Sequence, residues 1–362
     1  MKKNILIVDD SALMRRVLSD IIESDIRFAV KDVAKNGADA LNLITKNFKL
    51  YDAVLLDINM PVMDGLEVLK NLKEKGISVN VIIVSSLVKE GAKETILALE
   101  QGALDFVTKP GNYSAVKSEE FRNQVINALS VACDLKRNSS SFAQRASGGS
   151  YRLRDKKTQA GTPGLKKLVA IASSTGGPQT LRNLISGIPA DIDAPVLIVQ
   201  HMPSGFTKSL ADRLNDVSKL NVKEAEDGDR LMKGWAYVAP GGMHMKVREE
   251  RREGFVIRLT DEPPSEGVKP CANLMYESVA GLSFDRVVCV VLTGMGADGT
   301  KGIKELKSKN RNVHVIAQDN ETSIVYGMPK AVAAAGLADE ILPIDNIAGA
   351  IIKNTGVLNN GC

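Results

Sequence analysis

Residues 169–185 read VAIASSTGGPQTLRNLI, a buried-strand run that passes two serines, a threonine and two glycines and ends as an amphipathic helix. A strand that turns directly into a helix is the repeating unit of α/β sheets. The turn Ser173-Ser174-Thr175-Gly176-Gly177 has three readings on its own. It can cap the helix, cradle a phosphate, or seat a nucleophile at the helix start. The rest of the chain has to separate them.

The chain has 362 residues, enough for two domains with separate cores, and its 44% apolar and 25% charged content is that of a globular protein. No apolar run approaches the roughly 20 residues that span a bilayer, so membrane insertion is not expected. Met1-Lys2-Lys3-Asn4 leads into Ile5–Val8 and then Asp9 and Asp10, unlike a secretory leader, which predicts a cytoplasmic protein. Cys133, Cys271, Cys289 and Cys362 lack CxxC spacing, which argues against a zinc site or a disulfide framework.

The net charge of +4 is unevenly spread. Residues 1–133 carry 17 basic and 18 acidic side chains, and residues 168–362 carry 21 and 23. Residues 134–167 carry 9 and 2, in a stretch that includes Asn138-Ser139-Ser140-Ser141 and Ser147-Gly148-Gly149-Ser150. Such composition predicts a flexible basic linker over 134–165, between domains at 1–133 and 166–362. Nucleic-acid binders spread positive charge over a folded face, so no nucleic-acid partner is expected.

In the first domain, short apolar runs at Ile5–Val8, Phe28–Val33, Ala53–Leu56, Val81–Val84 and Phe106–Thr108 alternate with segments of helical period such as Ser11–Glu23 and Gly65–Lys73. The alternation predicts a parallel sheet, whose strand C-termini face the ligand crevice. Polar residues collect at those ends: Asp9 and Asp10, Asp57, Ser85, and Lys109 before Pro110. Carboxylates gathered at one place repel unless a cation joins them, and an all-oxygen set suits Mg²⁺. A carboxylate beside that ion can attack a phosphoryl group, with Lys109 as a mobile positive charge and Ser85 as a hydroxyl for a phosphoryl oxygen.

Asp9-Asp10, Asp57-Ile58-Asn59-Met60-Pro61-Val62-Met63-Asp64-Gly65, Ser85 and Lys109-Pro110 resemble the receiver domain of two-component response regulators over about residues 3–130. The resemblance implies a flavodoxin-like fold with a five-stranded parallel sheet. It also implies phosphorylation of Asp57 by a histidine kinase, supported by Ser85 and Lys109. A Mg²⁺ site from Asp9, Asp10, Asp57 and the Asn59 backbone carbonyl is implied as well.

The second domain has strand-like runs at Leu168–Ala172, Val196–Val199, Ala236–Val238, Phe255–Leu259, Val287–Leu292 and Val313–Ala317, which predict another α/β sheet, parallel in the main. The turn after its first strand matches neither G-x-G-x-x-G nor a P-loop and contains no lysine, which counts against nucleotide binding. A nucleophile needs a base, and the chain has 3 histidines. His314 lies inside Val313-His314-Val315-Ile316 and reads as a packed strand residue; His244 follows the turn Pro240-Gly241-Gly242-Met243 and is open to either reading. His201 follows Val196–Gln200 and so sits at a strand end, on the same sheet edge as Ser174. Asp298, within Thr293-Gly294-Met295-Gly296-Ala297-Asp298-Gly299, is either the carboxylate that orients this base or a helix cap.

Ala172-Ser173-Ser174-Thr175-Gly176-Gly177-Pro178, Gln200-His201-Met202-Pro203, Ala239-Pro240-Gly241-Gly242-Met243-His244 and Leu292-Thr293-Gly294-Met295-Gly296-Ala297-Asp298-Gly299 resemble the catalytic domain of the CheB family over about residues 166–355. Glu226-Asp227-Gly228-Asp229, Ala317-Gln318-Asp319 and Tyr326-Gly327-Met328-Pro329-Lys330 extend the likeness. Members are chemotaxis receptor methylesterases that also deamidate receptor glutamines. The resemblance implies Ser174 as nucleophile, His201 as general base and acid, Asp298 as orienting carboxylate, and Thr175 and the Met295 backbone as supports. It implies no cofactor for hydrolysis, methyl-accepting chemotaxis receptors as substrates and a chemotaxis histidine kinase as phosphodonor. Where that family usually has Arg-Pro-Ser-Val-Asp, this chain has Lys269-Pro270-Cys271-Ala272-Asn273. The order of domains predicts a receiver that restrains the hydrolase until Asp57 is phosphorylated. The rival class is a response regulator whose second domain binds a partner or DNA without catalysis.

Overall fold

The structure is a computed structural model that describes residues 2–86, 89–110, 118–135 and 164–358. The chain divides into two compact units, Met1–Leu153 and Arg154–Cys362. The linker expected over 134–165 lies, from 136 to 163, outside the described residues.

The first unit has a parallel sheet of order β2-β1-β3-β4-β5, the expected flavodoxin-like arrangement. Its strands are β1 (Lys3–Val8), β2 (Phe28–Ala34), β3 (Ala53–Asp57), β4 (Val81–Ser86) and β5 (Asp105–Lys109). Helices α1 (Ala12–Glu23), α2 (Gly37–Asn47), α3 (Gly65–Glu74), α4 (Lys89–Glu100) and α5 (Glu119–Asp134) make the crossovers. All five residues of β3 are buried, as expected for a central strand covered on both faces. Each fully buried Val, Leu or Ile in it contributes roughly 1.5–3 kcal/mol. Helix starts are fixed locally: Asp64 and Glu67 form a reciprocal capping box on α3, and the Ser11 hydroxyl accepts the Met14 amide at 3.3 Å to cap α1. With Ser11 in that role, the Asp10 carboxylate is not needed as the cap.

The second unit has a parallel sheet of order β14-β13-β12-β6-β7-β9-β8. The strands are β6 (Lys167–Ser173), β7 (Val196–Gln200), β8 (Asn221–Glu224), β9 (Trp235–Val238), β12 (Arg286–Val291), β13 (Val313–Gln318) and β14 (Glu340–Leu342). Helices α6 (Gly177–Ser186), α7 (Phe206–Val217), α8 (Ala272–Val279), α9 (Thr300–Lys309), α10 (Met328–Ala334) and α11 (Ile344–Thr355) pack with it.

One expected sheet strand lies elsewhere. Phe255–Leu259 belongs to β11 (Gly254–Thr260), which pairs antiparallel with β10 (His244–Glu250) in a separate hairpin. The turn joining β10 to β11 is too short for a parallel connection, which needs a crossover of about a dozen residues. The hairpin still reaches the core: Met245, Val247, Phe255 and Ile257 are buried with the sheet residues, and Phe255 stacks on Phe284 at 3.8 Å between ring centroids. The short strands β8 and β14 at the two sheet edges carry too few apolar residues to stand out in the sequence. Cys133, Cys271 and Cys289 are free and buried.

Candidate functional site

In the second unit, β6 lies between β12 and β7, so three neighbouring strands deliver their C-termini to one sheet edge. Ser173 pairs with Gln200, and the ladder continues past both strand ends. The His201 amide donates to the Ser173 carbonyl, and the Ser174 amide to the Thr293 carbonyl, each at 3.0 Å. Strand register therefore sets Ser174 beside His201, with the loop after β12 on the other side.

The two serines have different surroundings. Ser173 is fully buried and its hydroxyl donates to Gln200 Oε1 at 2.7 Å. The Gln200 amide in turn donates to the carbonyls of Ser174 and His201, at 2.9 and 3.1 Å. Ser174 is half-buried, at the last position before the turn into α6. Gly176 takes φ 77° to begin that helix, a left-handed conformation that suits glycine. A Cβ on Gly177 would lie 1.9 Å from Gln200 Oε1, so the close approach of helix to strand requires a bare backbone there.

Asp298 comes from the loop before α9, and its Oδ2 lies 2.7 Å from His201 Nε2. An ionised carboxylate only accepts, so Nε2 carries the proton and Nδ1 holds the lone pair of the neutral ring. Asp298 also accepts the amides of Ala272 at 2.6 Å and Asn273 at 2.9 Å, the first two residues of α8. Helix N-termini favour negative charge. Burial pushes the Asp298 carboxyl up, but the His201 hydrogen bond, the positive charge His201 carries when protonated and these two amides outweigh it and hold it below its ordinary value. The Asn273 side chain ties α8 to α9, its Oδ1 accepting the amides of Gly299 and Gly302 at 2.9 and 2.8 Å.

Of the residues expected to support the site, Thr175 accepts the Thr293 hydroxyl on its carbonyl at 3.0 Å, which clamps the strand-to-helix turn to the β12 loop. Met295 is 56% exposed on that loop. His314 lies in β13, away from this edge, with Nε2 2.6 Å from Glu340 Oε1. His244, open on sequence, is fully buried at the start of β10 and bonded to Pro263 and Cys271. Gln200 and Cys271 are contributors to which sequence reading gave no role, and His244, which it left open, joins them. Gln200 had a legible signal, since a polar residue at a strand end opposite Ser173 needs a partner when buried.

In the first unit, Asp9, Asp10 and Asp57 each offer a carboxylate oxygen within 4.8 Å of the others; Asp9 and Asp57 are buried and Asp10 is exposed. Lys109 Nζ lies 2.8 Å from Asp9 Oδ2 and 2.7 Å from Asp57 Oδ2. Burial pushes Asp57 up to about 6 against the pull of the Lys109 charge. Burial also works against the Lys109 ammonium, but Asp57 and Asp9 outweigh it and hold its pKa above the ordinary value. One ammonium among three carboxylates leaves surplus negative charge, and the oxygen donor set fits a hard divalent cation. The Ser85 hydroxyl is buried, 3.4 Å from the Gly91 carbonyl, and the Asn59 side chain donates to Glu94 Oε2 at 3.0 Å.

Residues 5–119 match the response regulator receiver domain, and residues 169–351 match CheB methylesterase. A protein-glutamate methylesterase/protein-glutamine glutaminase of Halalkalibacterium halodurans is 40% identical, covering 96% of this chain and 97% of that protein. A protein of the same name from Geobacillus kaustophilus is 41% identical, covering 97% and 98%. Among solved structures, the Thermotoga maritima CheB methylesterase catalytic domain is 41% identical, with a TM-score of 0.50, and covers 52% of this chain and 98% of that one. The two domain matches and the relatives define a response regulator whose second domain is a hydrolytic enzyme. The chain belongs to the CheB methylesterase family.

Proposed function

We propose that the protein is a phosphorylation-regulated serine hydrolase that removes γ-methyl esters from glutamate side chains of chemotaxis receptors and deamidates specific glutamines. The observation that carries this reading is the 2.7 Å contact of His201 Nε2 with Asp298 Oδ2, at the strand end next to Ser174. The names of the relatives support the substrate class.

Ser174 Oγ gives its proton to His201 Nδ1 and attacks the ester carbonyl. The developing oxyanion is stabilised by dipoles at the start of α6, with Thr175 and the Met295 backbone in support. His201 then protonates the leaving methanol, or ammonia from a glutamine. It next takes a proton from the attacking water and returns it to Ser174 Oγ as the acyl bond breaks, which frees the glutamate and restores both residues. Asp298 stays ionised throughout and stabilises the imidazolium.

In the receiver, Asp57 accepts the phosphoryl group of a chemotaxis histidine kinase and forms an acyl phosphate. Asp9, Asp10, Asp57 and the Asn59 carbonyl would hold Mg²⁺, which supplies positive charge against the entering phosphoryl oxygens. Lys109 and Ser85 contact the phosphoryl oxygens.

Methanol release from methyl-esterified receptor membranes tests the reading. Ser174→Ala is expected to lower kcat by a factor on the order of 10⁴ to 10⁶. A Ser174→Ala protein that still releases methanol at the wild-type rate overturns it.

A further inference from the structure

The Asp298 carboxylate is held by five donors, and one of them is a side chain outside the serine, histidine and aspartate set. Oδ1 accepts the amides of Asn273 and Gly299, each at 2.9 Å, and the thiol of Cys271, whose Sγ is 3.1 Å away. Oδ2 accepts the Ala272 amide and His201 Nε2. Residues 271–273 thus supply three of the five, so the path of this short segment into α8 decides where the carboxylate points.

His244 anchors that segment. Its Nδ1 accepts the Cys271 amide at 3.2 Å, and its Nε2 donates to the Pro263 carbonyl at 3.1 Å. An amide only donates and a carbonyl only accepts, so the ring is the neutral tautomer with its proton on Nε2. Cys271 and His244 are both fully buried. Burial and the Asp298 charge push the Cys271 thiol up to about 11, so Sγ keeps its proton at neutral pH.

We propose that Cys271 is a positioning residue for hydrolysis: its thiol hydrogen bond, on a backbone anchored by His244, fixes the rotation of Asp298 and through it the His201 ring. With three donors on Oδ1, only Oδ2 is left for the imidazole, which keeps Nε2 protonated and Nδ1 free as the base. A thiol is a weak donor in water, but burial removes water as a competing partner for it. The proposal rests on the hydrolytic reading of Ser174, His201 and Asp298.

The test compares full-length wild type, Cys271→Ser, Cys271→Ala and Cys271→Val for methanol release from methyl-esterified receptor membranes, with kcat and KM measured separately and the thermal midpoint as a folding control. Serine keeps a donor; alanine and valine do not. Removing the donor is expected to lower kcat about tenfold at unchanged KM, the scale on which a misplaced catalytic group acts. Cys271→Ser is expected to stay within about threefold of wild type. Folded Ala or Val variants with wild-type kcat overturn the proposal, as does an equal loss in Ser and Val or a loss confined to KM. Should the Ala variant not fold, valine, which refills the volume, takes its place. If neither folds, a Cys271→Ser kcat below about one-tenth of wild type overturns the proposal. Activity that survives Ser174→Ala overturns the hydrolytic reading itself. A dead Ser174→Ala beside a fully active Cys271→Ala overturns only the role of Cys271.

Discussion

Adjacent serines can have opposite roles because a strand end exposes every second side chain differently. Ser173 points into the sheet and holds Gln200, so Ser173→Ala should cost about 1 kcal/mol in urea unfolding while leaving most of kcat. A dead Ser173→Ala protein would move the nucleophile by one residue. His201→Ala should be as damaging as Ser174→Ala, whereas His314→Ala, whose ring pairs with Glu340 in another part of the sheet, should change stability only. Comparable losses of kcat/KM at the two histidines would sink that assignment. Asp298 yields a pH test. Its folded pKa lies below the ordinary 3.8, so its ionised form stabilises the fold above that value, and the contribution fades as pH falls further towards the folded pKa. The stability gap between wild type and Asp298→Asn should accordingly be widest near neutrality and narrow below about pH 3.8. A gap that does not change with pH would mean that the carboxylate is not held ionised.

Single residues act here through the elements that carry them. The start of α6 rests on β7 because Gly177 leaves room for the Gln200 amide group, which bonds both Ser174 and His201 to the sheet. Gly177→Ala should therefore displace Gln200, lowering stability by about 1–3 kcal/mol, the usual cost of overpacking. Its methanol-release kcat should fall as well. A variant as stable as wild type in urea would show that the helix start can shift without strain. The strand-to-helix turn, the triad candidates and the five strands of the receiver were all legible, because apolar runs and the polar residues that end them are adjacent in the chain. The hairpin β10–β11 was not. Residues of Phe255–Leu259 are apolar enough for a sheet strand, and only the short turn to His244–Glu250 determines that they pair locally.

At the scale of the whole chain, a receiver and a hydrolase joined covalently meet at high effective concentration, so a weak inhibitory interaction suffices for control. Acetyl phosphate with Mg²⁺ should label Asp57 and raise methanol release by the full-length protein, and Asp57→Asn should abolish both. A piece starting near Leu165 should be faster than the unphosphorylated full-length protein and indifferent to acetyl phosphate. Relief by a factor of ten corresponds to about 1.4 kcal/mol of differential interaction. Equal rates for piece and full-length protein without phosphodonor would rule out restraint by the receiver.

By itself the sequence determined the two α/β domains, the family resemblance and the residues at the strand ends, since each depends on neighbours within about a dozen positions. What surrounds Asp298 was decided only in three dimensions. Its donors come from 201, 271–273 and 299, segments far apart in the chain, and no local pattern marks Cys271 or the ring of His244 behind it. The family resemblance already pointed to Ser174; what strand register adds is that the Ser173 hydroxyl is committed to Gln200. A hydroxyl is committed or available according to what the neighbouring strand presents opposite it, and that is a property of the sheet.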